Sequence, residues 1–188
     1  MTSVPGSPTD RLLTAFLVLA PLTYLVADIL YAARGWDDAT AGVVHVLAAT
    51  AYTLVVLRVV TWTDGPLAAA LLLAGVIGAA GNVAYGFNTI HVSLGDTDLV
   101  DATGAAALIK PYGLFFPLSL LLAAVALRRT ADARLVGVLA AAAIVWPVAH
   151  IGNVAWLAVA VNVALLVGFT ALAAQHTSEA DTPTASPV

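Results

Sequence analysis

Hydrophobic residues along this chain come in six long runs separated by short polar breaks. A helix that crosses a bilayer needs about 20 mostly apolar residues. The runs at about 12–33, 40–60, 67–90, 110–128, 135–150 and 154–174 therefore read as six spans. Their boundaries carry turn and charge signals. Arg34-Gly35-Trp36-Asp37-Asp38 ends the first, and Asp64-Gly65-Pro66 precedes the third, with Pro66 suited to the first position of a helix. Arg128-Arg129 ends the fourth, and Gly152-Asn153 is a tight turn before the sixth. Reading residues 135–174 as one helix would make it about 60 Å long at 1.5 Å per residue, twice the hydrocarbon thickness, so two helices fit better. The one substantial loop, residues 93–103, contains Asp96, Asp98 and Asp101. The tail 175–188 is rich in Thr, Ser and Pro, has no hydrophobic face and is expected to be disordered.

Composition agrees with a membrane chain. Of 188 residues 61% are hydrophobic and 10% charged, with mean hydropathy +0.98. Soluble domains are roughly 45–50% apolar and about 25% charged, and a chain this apolar lacks the polar surface to cover a soluble fold. The expected fold class is all-α: a polytopic bundle of six transmembrane helices with short loops, forming one domain over 1–174. The first run extends past Ala33, too long for a signal-peptide core of about 7–15 residues, and reads as a span.

Charge sets an expected orientation. With the N-terminus cytoplasmic, the inner side holds Arg11, Arg58, Arg128, Arg129 and Arg134, and the outer side Arg34 and Lys110. That arrangement obeys the positive-inside rule, places both termini in the cytoplasm of a multi-pass cell-membrane protein and puts the acidic loop outside. Trp36, Trp62, Tyr112, Trp146 and Trp156 fall near span ends, where interfacial aromatics gather. The net charge of −4 argues against a nucleic-acid partner. The absence of Cys removes disulfides, thiolate metal sites and Cys nucleophiles. No HExxH, GxSxG or phosphate-loop motif is present, so no catalytic residue, metal site or cofactor is assigned.

Candidate chemistry lies in the polar residues that lipid disfavours. An ionisable group in a span costs about 2.5–3.5 kcal/mol on insertion scales and usually faces protein or water. Asp28 and His45 each lie about 7–8 Å inside the outer ends of spans one and two at 1.5 Å per residue, and antiparallel neighbours can set them side by side. Tyr24, Asp28 and Tyr31 share a helical face. Gly78, Asn82, Tyr85 and Thr89 form a matching stripe on span three. Asn82 and Asn162 are expected near mid-membrane, and His91, His150, Asn153 and Lys110 at the outer boundary, where His91 and His150 read as solvated residues.

Polar groups thus concentrate in the outer half of the bilayer. The inner half has almost none beyond terminal Arg residues. The expectation is an outward-facing pocket for binding or transporting a small solute, with Asp28, His45, Asn82, Tyr85 and Lys110 as ligand-binding residues. The structural reading of the same residues is that Asp28 and His45 lock two helices together and that Asn82 and Asn162 are interhelical glue, worth about 0.6 kcal/mol each. A second class of function is a structural or accessory subunit packed against a partner membrane protein or a second copy. It predicts that the small-residue row Gly75, Gly78 and Gly81 faces outward. A third is a b-type haem protein; His45 is the one clearly intramembrane His, and pairing it with His91 or His150 requires a shift or kink, which Pro147 could supply beside His150. Gly81-Asn82-Val83-Ala84-Tyr85 and Gly152-Asn153-Val154-Ala155-Trp156 raise the question of a three-plus-three repeat.

Overall fold

The computed structural model describes residues 6–180, the side chains of 178–180 apart. Six helices, all long and apolar enough to cross a membrane, make up almost all of it: α1 (Pro8–Arg34), α2 (Ala39–Thr61), α3 (Gly65–Ser93), α4 (Ile109–Leu127), α5 (Ala133–Ile151) and α6 (Ala155–Ala180). A short 3-10 turn, Gly104–Leu108, leads into α4. No strand occurs among the described residues. The expected tail begins as a continuation of α6 through Ala180, and residues 181–188 lie outside the described residues.

Local sequence sets the helix starts. The Ser7 hydroxyl accepts from the Asp10 N–H at 3.1 Å, and Pro8 occupies the first turn of α1. The Asp38 carboxylate accepts from the Ala41 N–H at 2.8 Å and so begins α2. These side chains satisfy N–H groups that have no partner inside the helix. At the α5–α6 turn Asn153 takes a positive φ of 53°, a backbone region that Asn enters more readily than most residues. The two Gly-Asn segments therefore differ in structure. Gly81-Asn82 lies inside α3, whereas Gly152-Asn153 is a turn.

The helices pack as a closed ring, each against the next and α6 back against α1. Glycine sets the closest approach. A Cβ at Gly81 would lie 2.3 Å from the backbone nitrogen of Gly113, and one at Gly78 would lie 2.4 Å from that of Phe116. The α3 and α4 backbones are thus in contact, as small residues allow where lipid gives no hydrophobic drive for helix association. Gly75 packs on Val56 of α2, where a Cβ would come within 2.5 Å. The glycine row faces inward, opposite to what an accessory subunit with an outward small-residue face predicts.

Side chains are sorted in the reverse of a soluble protein. Leu47, Leu73, Ile144, Val148 and Val167 are all more than half exposed on the outside. Asp28, His45, Asn82, Asn162 and His150 are buried inside. The half of the bundle away from the 93–103 loop is closed by apolar packing of Leu17, Val55, Leu120, Leu139, Leu165 and Phe169.

Candidate functional site

All six helices supply parts of one polar cluster. Its orientation can be worked out from carbonyls that only accept. Asn82 on α3 donates its amide to the Gly78 carbonyl at 2.9 Å and to the Gly113 carbonyl of α4 at 3.4 Å. Pro117, four residues after Gly113, has no N–H to offer that carbonyl, which frees it for Asn82. The Asn82 Oδ1 therefore points the other way and accepts the Tyr24 hydroxyl proton at 2.8 Å. With that proton committed, the Tyr24 oxygen accepts from His45 Nε2 at 3.1 Å. His45 is thus the Nε2–H tautomer, and its Nδ1 carries a bare lone pair. That Nδ1 is buried with no hydrogen-bond partner among the described residues.

A second set adjoins the first. Asn162 on α6 donates to Asp28 Oδ2 at 2.6 Å, and His150 Nε2 on α5 lies 3.3 Å from Asp28. His150 Nδ1 must be protonated, because its partner at 3.1 Å is the Trp146 carbonyl. The Tyr24 ring links both sets, 4.8 Å from the His45 ring and 5.9 Å from that of His150.

A cavity of about 200 Å³ opens above this floor toward the 93–103 loop. At about 30 Å³ per water it has room for about seven waters, or for one small organic molecule. His45, Asn82, Tyr85, Trp146 and His150 form its inner part. Asp37, Asp98, Asp101, Lys110 and Asn153 surround its mouth. The loop is pinned to α3 by Asn88, which donates to Asp98 Oδ1 at 2.9 Å and accepts the Leu99 N–H at 2.7 Å. Lys110 is paired with Asp101. Trp36 donates its indole N–H to the Asn153 carbonyl at 3.2 Å, tying the α1–α2 connection to the α5–α6 turn.

Of the five residues expected from the sequence, His45, Asn82, Tyr85 and Lys110 line this cavity. Asp28 does not; it is fully buried behind it. Nor does Asp28 pair with His45. Since α1 sits between α2 and α6, its inward face serves both sides, and Tyr24 takes His45 while Asp28 takes His150 and Asn162. His150 departs from its expected place in solvent: it is 8% exposed and stacked on Trp146 at 4.0 Å. The i, i+4 spacing of Trp146 and His150 was the available signal. Asn88, which holds the loop, carried none. His91 stays at the surface beside Asp96 at 3.3 Å.

The donor set does not suit an axially ligated haem. Both His150 ring nitrogens are already hydrogen-bonded, and Tyr24 holds the His45 Nε2, which leaves the His45 Nδ1 alone rather than the His pair that a b-type haem takes. Among the described residues no group of three or more His, Asp or Glu side chains is placed to hold a metal ion. Compared with protein-family models, with curated proteins and with solved structures, the chain matches none.

Proposed function

We propose that this chain is a multi-pass membrane protein that binds a small polar solute in the cavity above His45 and Trp146, as a receptor or as the outer half of a transport path. The observation that carries this reading is a cavity built over unpaired polar atoms. The His45 Nδ1 lone pair and the Trp146 Nε1–H are both buried without a hydrogen-bond partner among the described residues, and both residues line the cavity. Leaving a buried donor or acceptor unpaired costs about 1–3 kcal/mol. An occupant that hydrogen-bonds to them as the side chains adjust offsets that cost. Asp28, His150 and Asn162 then serve as the lock that holds the floor, and Lys110 shapes the mouth. With the N-terminus cytoplasmic, five basic residues inside against two outside support an outward-facing cavity in the cell membrane.

The test is thermal unfolding of the full chain in lipid nanodiscs across a panel of small solutes, beside a variant with a filled cavity. Gly113 lines the cavity, and a Cβ added there meets nothing within 4 Å. Gly113→Leu should therefore fold and fill the space. A solute at about 100 times its Kd should stabilise the native chain by about 2.7 kcal/mol. The shift should vanish in Gly113→Leu and shrink in His45→Ala. If no solute shifts the native chain, or every shift survives Gly113→Leu, the reading is wrong.

A further inference from the structure

The geometry points to a small organic ammonium as the class of solute that this cavity takes, an inference that rests on the binding role proposed above. Three carboxylates, Asp37, Asp98 and Asp101, stand at the mouth against one cation, Lys110. Lys110 is bound to Asp101, which leaves two negative charges uncompensated there. The mouth thus already holds one ammonium on one of its carboxylates. Asp98 is fixed in place, its Oδ1 accepting from the Asn88 amide and from the Val100 N–H at 2.8 Å.

The floor is an independent observation. His45 lines the floor but is 1% exposed, and in the tautomer set by Tyr24 and Asn82 its buried Nδ1 carries an unshared pair rather than a proton. Charged acceptors thus stand at the mouth, and a neutral lone pair lies buried in the floor. A ligand that carries N–H donors and a positive charge is attracted by the mouth carboxylates, and an anion is repelled by them. The neutral Trp146 N–H is the floor's unpaired donor. Trp36, Tyr85 and Trp146 add aromatic surface, which attracts cations through the negative faces of the rings.

The experiment uses three probes of nearly one shape: benzylammonium, benzyl alcohol and benzoate. Binding to the full chain in zwitterionic nanodiscs is measured calorimetrically at neutral pH, with Gly113→Leu nanodiscs subtracted to remove partitioning into lipid. Benzylammonium should bind about tenfold more tightly than benzyl alcohol, and benzoate most weakly. The preference should narrow in 0.5 M salt, where charges at an exposed mouth are screened. Asp37 is exposed at the mouth, so Asp37→Asn should fold normally. It should weaken benzylammonium severalfold and leave benzyl alcohol unchanged. Equal binding of the three probes, or a preference for the alcohol or for benzoate, overturns the ammonium assignment while leaving a solute-binding cavity in place. No specific binding of these probes, with a neutral or anionic solute from the thermal panel binding instead, overturns it as well. If neither the probes nor any solute of the panel binds, both readings fall.

Discussion

The two ends of the bundle are closed by different physics. The end away from the 93–103 loop is filled with Leu, Val and Phe side chains and capped by a part-buried ion pair. Arg58 Nη1 meets Asp10 Oδ1 at 2.5 Å, its guanidinium lies 4.5 Å from the Trp62 ring, and Trp62 stacks on His176 at 3.9 Å. The loop end has few such side chains to interdigitate. Its helices are held by directed hydrogen bonds among Tyr24, His45, Asn82, Asp28, His150 and Asn162. Non-directional packing can close a space completely. Directed bonds fix distances and angles, and what they cannot fill is left as a cavity. Arg58, near the C-terminal end of α2, is 6% exposed within the bundle.

The most severe test of this contrast is Asp28→Ala. Removing one partner of a buried pair typically costs about 3–5 kcal/mol, because the other is left uncompensated. Thermal or denaturant unfolding in detergent should register a loss of that size, and an unaltered melting curve would mean that the pair does not hold the loop end. At the opposite end, Arg58→Leu should cost about 1.5–3 kcal/mol by removing a charge-assisted hydrogen bond to Asp10. A cost that matches or exceeds that of Asp28→Ala would show both ends to depend equally on charge.

A smaller and more discriminating pair of changes uses one chemistry at two places. Tyr24→Phe strips the hydroxyl that serves both His45 and Asn82, and should cost about 1–3 kcal/mol. The Tyr52 hydroxyl is buried without a hydrogen-bond partner among the described residues. Tyr52→Phe should therefore be neutral or slightly stabilising, and equal costs in the two melting curves would refute the proposed bonding pattern. The smallest effect concerns the apolar end. Gly137 lies exposed on α5, and a Cβ there meets nothing within 4 Å. Gly137→Ala should stabilise by about 0.5–1 kcal/mol. Gly81→Ala, with the α4 backbone 2.3 Å from the new carbon, should destabilise; agreement in sign between the two would show that α3 and α4 can separate freely.

Much of this architecture is legible in the order of residues alone. Hydrophobic run length and turn residues locate all six helices to within a few residues, except that α6 passes Gln175. The reason is that each helix satisfies its own backbone and needs no distant partner to exist. The position of each polar residue along its helix is legible for the same reason, since rise per residue converts residue number into distance along the axis. His45, Asn82, Tyr85 and Lys110 all line the cavity that the assembled bundle forms.

Which group meets which is settled in three dimensions. Depth gives no rotation about the ring, so Asp28 and His45 at matching depth are equally free to pair or to face different neighbours. The ring order places α1 between α2 and α6 and sends Asp28 toward His150 and Asn162. The proton on His45 Nε2 depends on a longer chain of contacts, from the carbonyls of Gly78 and Gly113 through Asn82 and Tyr24. Six apolar helices and the position of every polar residue along them are written in the chain, because both follow from local geometry. The partners, the tautomer and the cavity arise only in the assembled bundle, because each depends on which helices become neighbours.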